Sequence, residues 1–179
     1  MKKVFALIIF ILLFQSLSVW AETLSIGCPA LLPVNHNVEY DCNGGRLVTA
    51  NSQRQDFAAP VFLPTGSLIN KITVELADTS GGEFGGYVQV EFLRAKFNTL
   101  SVLKSFKTSG PDAPGDIRIE EILDTPIAID NSEYSYHLTV WLLNGAGGAY
   151  STWFFKTIIE YEPPSVQGTQ KVVVIPLFD

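Results

Sequence analysis

Apolar and polar positions alternate with a period of two along most of this chain, and short clusters of Gly, Pro, Asn and Asp interrupt the alternation. That pattern belongs to half-buried antiparallel strands joined by turns. Ile72, Val74 and Leu76 alternate with Lys71, Thr73 and Glu75, and Val88, Val90 and Phe92 alternate with Gln89 and Glu91. The glycine-rich run from Asp78 to Gly86 supplies the positive-φ positions of a tight or bulged connection, so the two segments read as a hairpin. Ile117 and Ile119 then alternate with Arg118 and Glu120, and Ile127 and Ile129 flank Ala128 after Pro126 opens the segment. Asp130, Asn131 and Ser132 turn the chain, as such side chains do by bonding nearby backbone.

The longest alternating run follows. Tyr134, Tyr136, Leu138, Val140 and Leu142 share one face, leaving Ser135, His137, Thr139 and Trp141 on the other. Beyond the glycines of 144–148, another strand sets Trp153, Phe155, Thr157, Ile159 and Tyr161 against Phe154, Lys156, Ile158 and Glu160. The second faces of both strands are too apolar or aromatic for plain surface strands. The stretch 162–170, with Pro163 and Pro164, reads as a linker before a last strand from Lys171 to Leu177. No window of helical length carries a 3.6-residue period; Gly115 to Leu123 comes nearest. Many short strands with glycine-rich turns predict an all-β fold, a single antiparallel β-sandwich, jelly-roll-like.

The first 21 residues read as a secretory signal: basic Lys2 and Lys3, an apolar run from Val4 to Phe14, and the small-residue exit Val19-Trp20-Ala21. That run is short of the about 20 apolar residues that span a bilayer. Cleavage after Ala21 with no stable membrane insertion is therefore expected. Lipidation at Cys28 is the weaker alternative, because Ser25 stands where such sites carry Leu and Glu22 separates the site from the apolar run. Cys28 and Cys42 are the only cysteines, and two thiols delivered to an oxidising compartment pair. The expected organisation is a signal peptide at 1–21, an N-terminal segment at 22–56 carrying the Cys28–Cys42 disulfide, and a β-sandwich at 57–179. The last two pack as one domain.

The run Pro60-Val61-Phe62-Leu63-Pro64-Thr65-Gly66-Ser67-Leu68-Ile69, with Asp130-Asn131-Ser132-Glu133-Tyr134-Ser135-Tyr136-His137-Leu138 further on, resembles a loose group of small exported bacterial β-sandwich proteins. The likeness spans residues 57–161 and consists of turn and strand chemistry. It implies the fold and export, and no activity.

A formal net charge of −6, made more negative when Lys2 and Lys3 leave with the signal, disfavours nucleic acid and anionic membranes as partners. Chemistry-bearing motifs are sparse. The chain has no G-x-S-x-G elbow, H-E-x-x-H pair or phosphate-binding glycine loop, and its only histidines are His36 and His137. Asp112 and Asp116, with Glu120, Glu121 and Asp124 downstream, are the candidate for calcium, against the stronger reading of a plain acidic turn. No other cofactor is expected. Glu75 and Glu91 suit the paired acids of a sugar hydrolase if their strands are neighbours, against the reading that both sit on the solvent side of a hairpin. Trp141, Trp153 and Tyr87, with His137, are the candidates for ligand binding through exposed rings beside polar groups.

The main functional expectation is a non-catalytic exported module for binding or for surface or extracellular assembly. The alternative is a glycan-binding protein or a hydrolase acting on extracellular polysaccharide. A glycan or a protein is the expected partner, in the periplasm or outside the cell. Homo-assembly is a further option, by Val172-Val173-Val174-Ile175 adding a strand to another subunit's sheet.

Overall fold

The computed structural model describes residues 21–50, 53–79, 85–108, 115–145 and 151–165. Its elements run β1 (Glu22–Gly27), a short 3-10 helix (Cys28–Ala30), β2 (Leu32–Pro33), β3 (Tyr40–Asn43), β4 (Arg46–Thr49), β5 (Gln55–Pro60) and β6 (Leu68–Asp78). Then come β7 (Tyr87–Lys96), β8 (Thr99–Lys107), β9 (Gly115–Ala128), β10 (Ser135–Leu143) and β11 (Thr152–Glu162). They form two antiparallel sheets. One has the order β3-β4-β11-β6-β9 with β1 also paired to β11; the other has the order β2-β5-β10-β7-β8. The inner faces supply one core, in which Phe57, Phe92, Phe154, Leu138 and Ile72 are buried. The expected antiparallel sandwich is what the chain forms. The expected last strand, 171–177, and residues 1–20 of the expected signal segment lie outside the described residues.

The expected hairpin of β6 and β7 does not form. Strand β6 lies between β11 and β9 in the six-stranded sheet, whereas β7 lies between β10 and β8 in the other. Alternation states that each strand has one buried face, and either sheet satisfies that, so a glycine-rich connection serves a crossing between layers as well as a tight turn. The separate segments around Ile117 and Ile127 are one strand. Pro126 is tolerated because β9 is an edge strand and its register against β6 slips between the pairs Ile69 with Ile127 and Lys71 with Ile122.

Strand β10 has the expected faces: Tyr136, Leu138, Val140 and Leu142 are buried, and His137, Thr139 and Trp141 are half-buried on the outside. Strand β11 keeps the expected phase only in its second half. Thr157, Ile159 and Tyr161 point inward, but so does Phe154, while Trp153 and Phe155 do not. A register shift between Phe154 and Lys156 resets the alternation, as one extra residue in a strand must.

The N-terminal strands are part of the same layers. Strand β11 is flanked by β4 at Phe154 and by β1 from Tyr161 to Lys156. The Cys28–Cys42 disulfide, with Cα atoms 5.9 Å apart, ties the end of β1 to β3. The two motif-bearing runs meet at one end of the sandwich. Gly66, at φ +89° in the turn closed by Ser67 N–H to Pro64 O, donates its own N–H to Ile129 O. The side-chain amide of Asn131 donates to Leu63 O at 2.7 Å.

Candidate functional site

The registers define the outer face of the five-stranded sheet row by row. Opposite one another stand Asp56 (β5), Trp141 (β10), Gln89 (β7) and Lys107 (β8); the next row is Ala58, Thr139, Glu91 and Ser105; the next is Pro60, His137, Leu93 and Val102. Tyr87 stands one row beyond Gln89, opposite Leu143. Three of the four ligand-binding candidates, Trp141, Tyr87 and His137, therefore share this face. Trp153 does not, because it lies on β11 in the other sheet.

The centre of the face is polar and interlocked. Gln89 Nε2 donates to Glu91 Oε1 at 2.8 Å and reaches Ser105 Oγ at 3.3 Å. Ser105 Oγ in turn lies 3.4 Å from Glu91 Oε1. Glu91 is 9% exposed. Beside it, Thr139 Oγ1 is buried with no hydrogen-bond partner, a costly state for a hydroxyl.

The aromatic rim is held by cations. The Arg54 guanidinium lies over the Trp141 ring, 4.2 Å from its centroid, and grips Asp56 with Nε to Oδ1 at 2.8 Å and Nη2 to Oδ2 at 2.9 Å. Its pKa is raised above the ordinary value first by that bond to Asp56, and the Tyr87 hydroxyl adds to the effect. Lys107 Nζ lies 4.0 Å from the Tyr87 ring centroid. Trp153 carries its own cation, Arg46, at 4.8 Å. Trp141, Tyr87 and Trp153 thus each have one face occupied, and sequence patterning gives no sign of it at the two tryptophans because Arg54 and Arg46 lie far along the chain from the rings they cover.

The enzymatic candidates separate. Glu75 and Glu91 lie on different sheets, and Glu75 is engaged by Arg118 at 2.7 Å and Lys156 at 3.3 Å on the outer face of its own sheet. They cannot flank one glycosidic bond, which removes the paired-acid reading. His137 Nε2 meets Ser135 Oγ at 3.0 Å. Among the described residues no carboxylate is hydrogen-bonded to its other ring nitrogen, as the third member of a triad would be. His36 lies exposed in the turn between β2 and β3. For calcium, Asp112 lies outside the described residues, and Asp116 is exposed on β9 opposite Ala77. Among the described residues no three His, Cys, Asp or Glu side chains gather to hold a metal ion. No described helix is long and apolar enough to cross a membrane.

No protein-family profile matches the chain, and no curated protein matches it. Solved structures with a similar arrangement exist. The C-terminal CBM6 module of LamC, a marine laminarinase from Zobellia galactanivorans, aligns with a TM-score of 0.49 and 13% identity over 77% of this chain and 98% of that one. The low-affinity xylan-binding module CBM86 from Roseburia intestinalis gives 0.45 and 8% over 78% and 96%. The CBM36-1 domain of a xylanase from the hindgut metagenome of Trinervitermes trinervoides gives 0.44 and 8% over 77% and 96%. What those proteins bind is a property of theirs. The β-sandwich part of the resemblance read from residues 57–161 stands on the two sheets themselves, and no family match supports the narrower group.

Proposed function

We propose that the chain is an exported, non-catalytic carbohydrate-binding module that takes a glycan across the outer face of its five-stranded sheet. The observation that carries this reading is the interlocked Gln89, Glu91 and Ser105 in the middle of that face, bordered by Trp141 and Tyr87. A sugar presents hydroxyls that donate and accept along its edges and C–H groups on its faces. An amide, a carboxylate and hydroxyls held in place answer the first, and indole and phenol rings answer the second. A sheet face touching only water has no need of a buried carboxylate and an unpartnered buried hydroxyl, each of which costs stability. Export is supported by the disulfide, which belongs to an oxidising compartment.

Affinity electrophoresis of residues 22–179 in gels containing soluble plant, algal or bacterial polysaccharides tests the proposal. Retardation by at least one neutral polymer, abolished in Gln89→Ala and weakened in Trp141→Ala with no release of new reducing ends, is the expected result. Equal mobility in every polymer, or retardation unchanged in both variants, would refute it. A protein partner is the second reading, favoured by the lower rows of the same face, where Phe62, Leu100 and Val102 are 81%, 61% and 54% exposed.

A further inference from the structure

At the end of the sandwich where the apolar core gives out, the inner face of the β7–β8 hairpin changes character. Phe92 is buried, but the next positions on that face of β7 are Arg94 and Lys96, and their cross-strand partners are Ser101 and Thr99. Tyr134, in the residue before β10, closes the other side. These side chains and Phe97 line a hollow of about 310 Å³. The Arg94 guanidinium lies over the Tyr134 ring, 4.7 Å from its centroid, and its Nε is buried with no hydrogen-bond partner. Lys96 is paired with Glu133, so that carboxylate is already engaged; among the described residues Arg94 has no carboxylate at all. Phe97, at the turn, has a φ of +50° and is 97% exposed. A bulky residue in the left-handed region is disfavoured, and a bare ring there serves no packing. Such costs collect where a ligand is held.

From this we infer that the hollow binds the carboxylate of a hexuronate sugar. The Arg94 fork matches two carboxylate oxygens, as a compact ammonium does not; the Ser101 and Thr99 hydroxyls meet ring hydroxyls, and Phe97 covers a C–H face. The inference rests on the carbohydrate-binding reading but uses a different site, so the two can fail separately.

Titration of isotope-labelled 22–179 with sodium glucuronate, with glucose and with inorganic sulfate, followed by amide chemical shifts, decides the matter. Glucuronate should saturate with the largest shifts between Lys96 and Ser101 and at Tyr134, and glucose should not bind there. Arg94→Gln should weaken glucuronate by tenfold or more, Arg94→Lys by less, and Phe97→Ala, whose ring has no packing role, by a few-fold. Trp141→Ala should leave glucuronate binding as it was, and Arg94→Gln should leave retention by neutral polymers as it was. Glucuronate binding no tighter than glucose, sulfate competing at equal affinity, or affinity unchanged in both Arg94→Gln and Phe97→Ala would overturn the inference.

Discussion

Leu138 and Thr139 are neighbours in sequence and face opposite ways, so replacing each tests the face assignment of β10 on which the site depends. Leu138 is fully buried and stands in register between Phe92 and Ala59. Truncation to Ala removes buried methyl groups and leaves a space that fixed neighbours on both strands cannot fill. The expected loss is about 2–5 kcal/mol. Thr139→Val keeps the volume and exchanges a buried, unpartnered hydroxyl for a methyl. Relief of an unpaired buried polar atom is worth about 1–3 kcal/mol, so this variant should be as stable as the parent or more so. Urea denaturation of residues 22–179 measures both, with midpoints compared only where the slopes agree. A destabilised Thr139→Val variant would mean the hydroxyl has a partner and leaves no unmet polar atom on the face for a ligand. A nearly neutral Leu138→Ala variant would place the strand out of register by one residue, which turns every side chain on it around.

Reducing the Cys28–Cys42 bond, which spans 14 residues, should lower stability by about 3 kcal/mol on the chain-entropy account; a denaturation midpoint unmoved by reductant would contradict it. The Glu120 carboxyl is held below the usual range chiefly by its hydrogen bond from Arg118, and that of Asp130 chiefly by Ser132. Groups with lowered folded pKa values contribute stability that is present above the ordinary carboxylate pKa of about 4 and is lost as pH falls through the lowered values. Thermal midpoints should therefore drop on acidification below about pH 4, and Glu120→Gln should flatten that drop; an identical acid profile for the variant would refute the assignment. Phe97→Asn, which substitutes a residue that tolerates the left-handed region, should raise stability by a few tenths to about 1 kcal/mol, and a destabilised variant would show that the ring packs in solution.

Much of the fold was legible because alternation reports which side of a strand is buried. Tyr136, Leu138, Val140 and Leu142 on β10, and Val88, Val90 and Phe92 on β7, lie inward as expected. The failures have two physical sources. Periodicity carries no information on which strand pairs with which, so β6 and β7 read as a hairpin although they belong to opposite layers, and the Glu75 and Glu91 pairing fell with it. A one-residue register shift leaves no mark in composition, so plain alternation puts Trp153, Phe155 and Phe154 on the wrong faces. For the site, the rings Trp141 and Tyr87 and the side chain of His137 were identifiable as outward aromatic or polar positions. Gln89, Glu91 and Thr139 were visible only as a polar face, because their convergence depends on the adjacency of β7, β8 and β10. Arg54 and Arg94 carried no local signal at all, since what distinguishes them is the ring each lies over.

Amide chemical-shift mapping on residues 22–179, with an oligosaccharide from a polymer that retards the protein, locates the glycan on one sheet or the other. The changes should concentrate along the outward rows of β10, β7 and β8, at Trp141, Thr139, Gln89, Glu91 and Ser105. Changes centred on Trp153 and the opposite sheet, or no saturable change anywhere on the five-stranded sheet, would contradict glycan binding at this face.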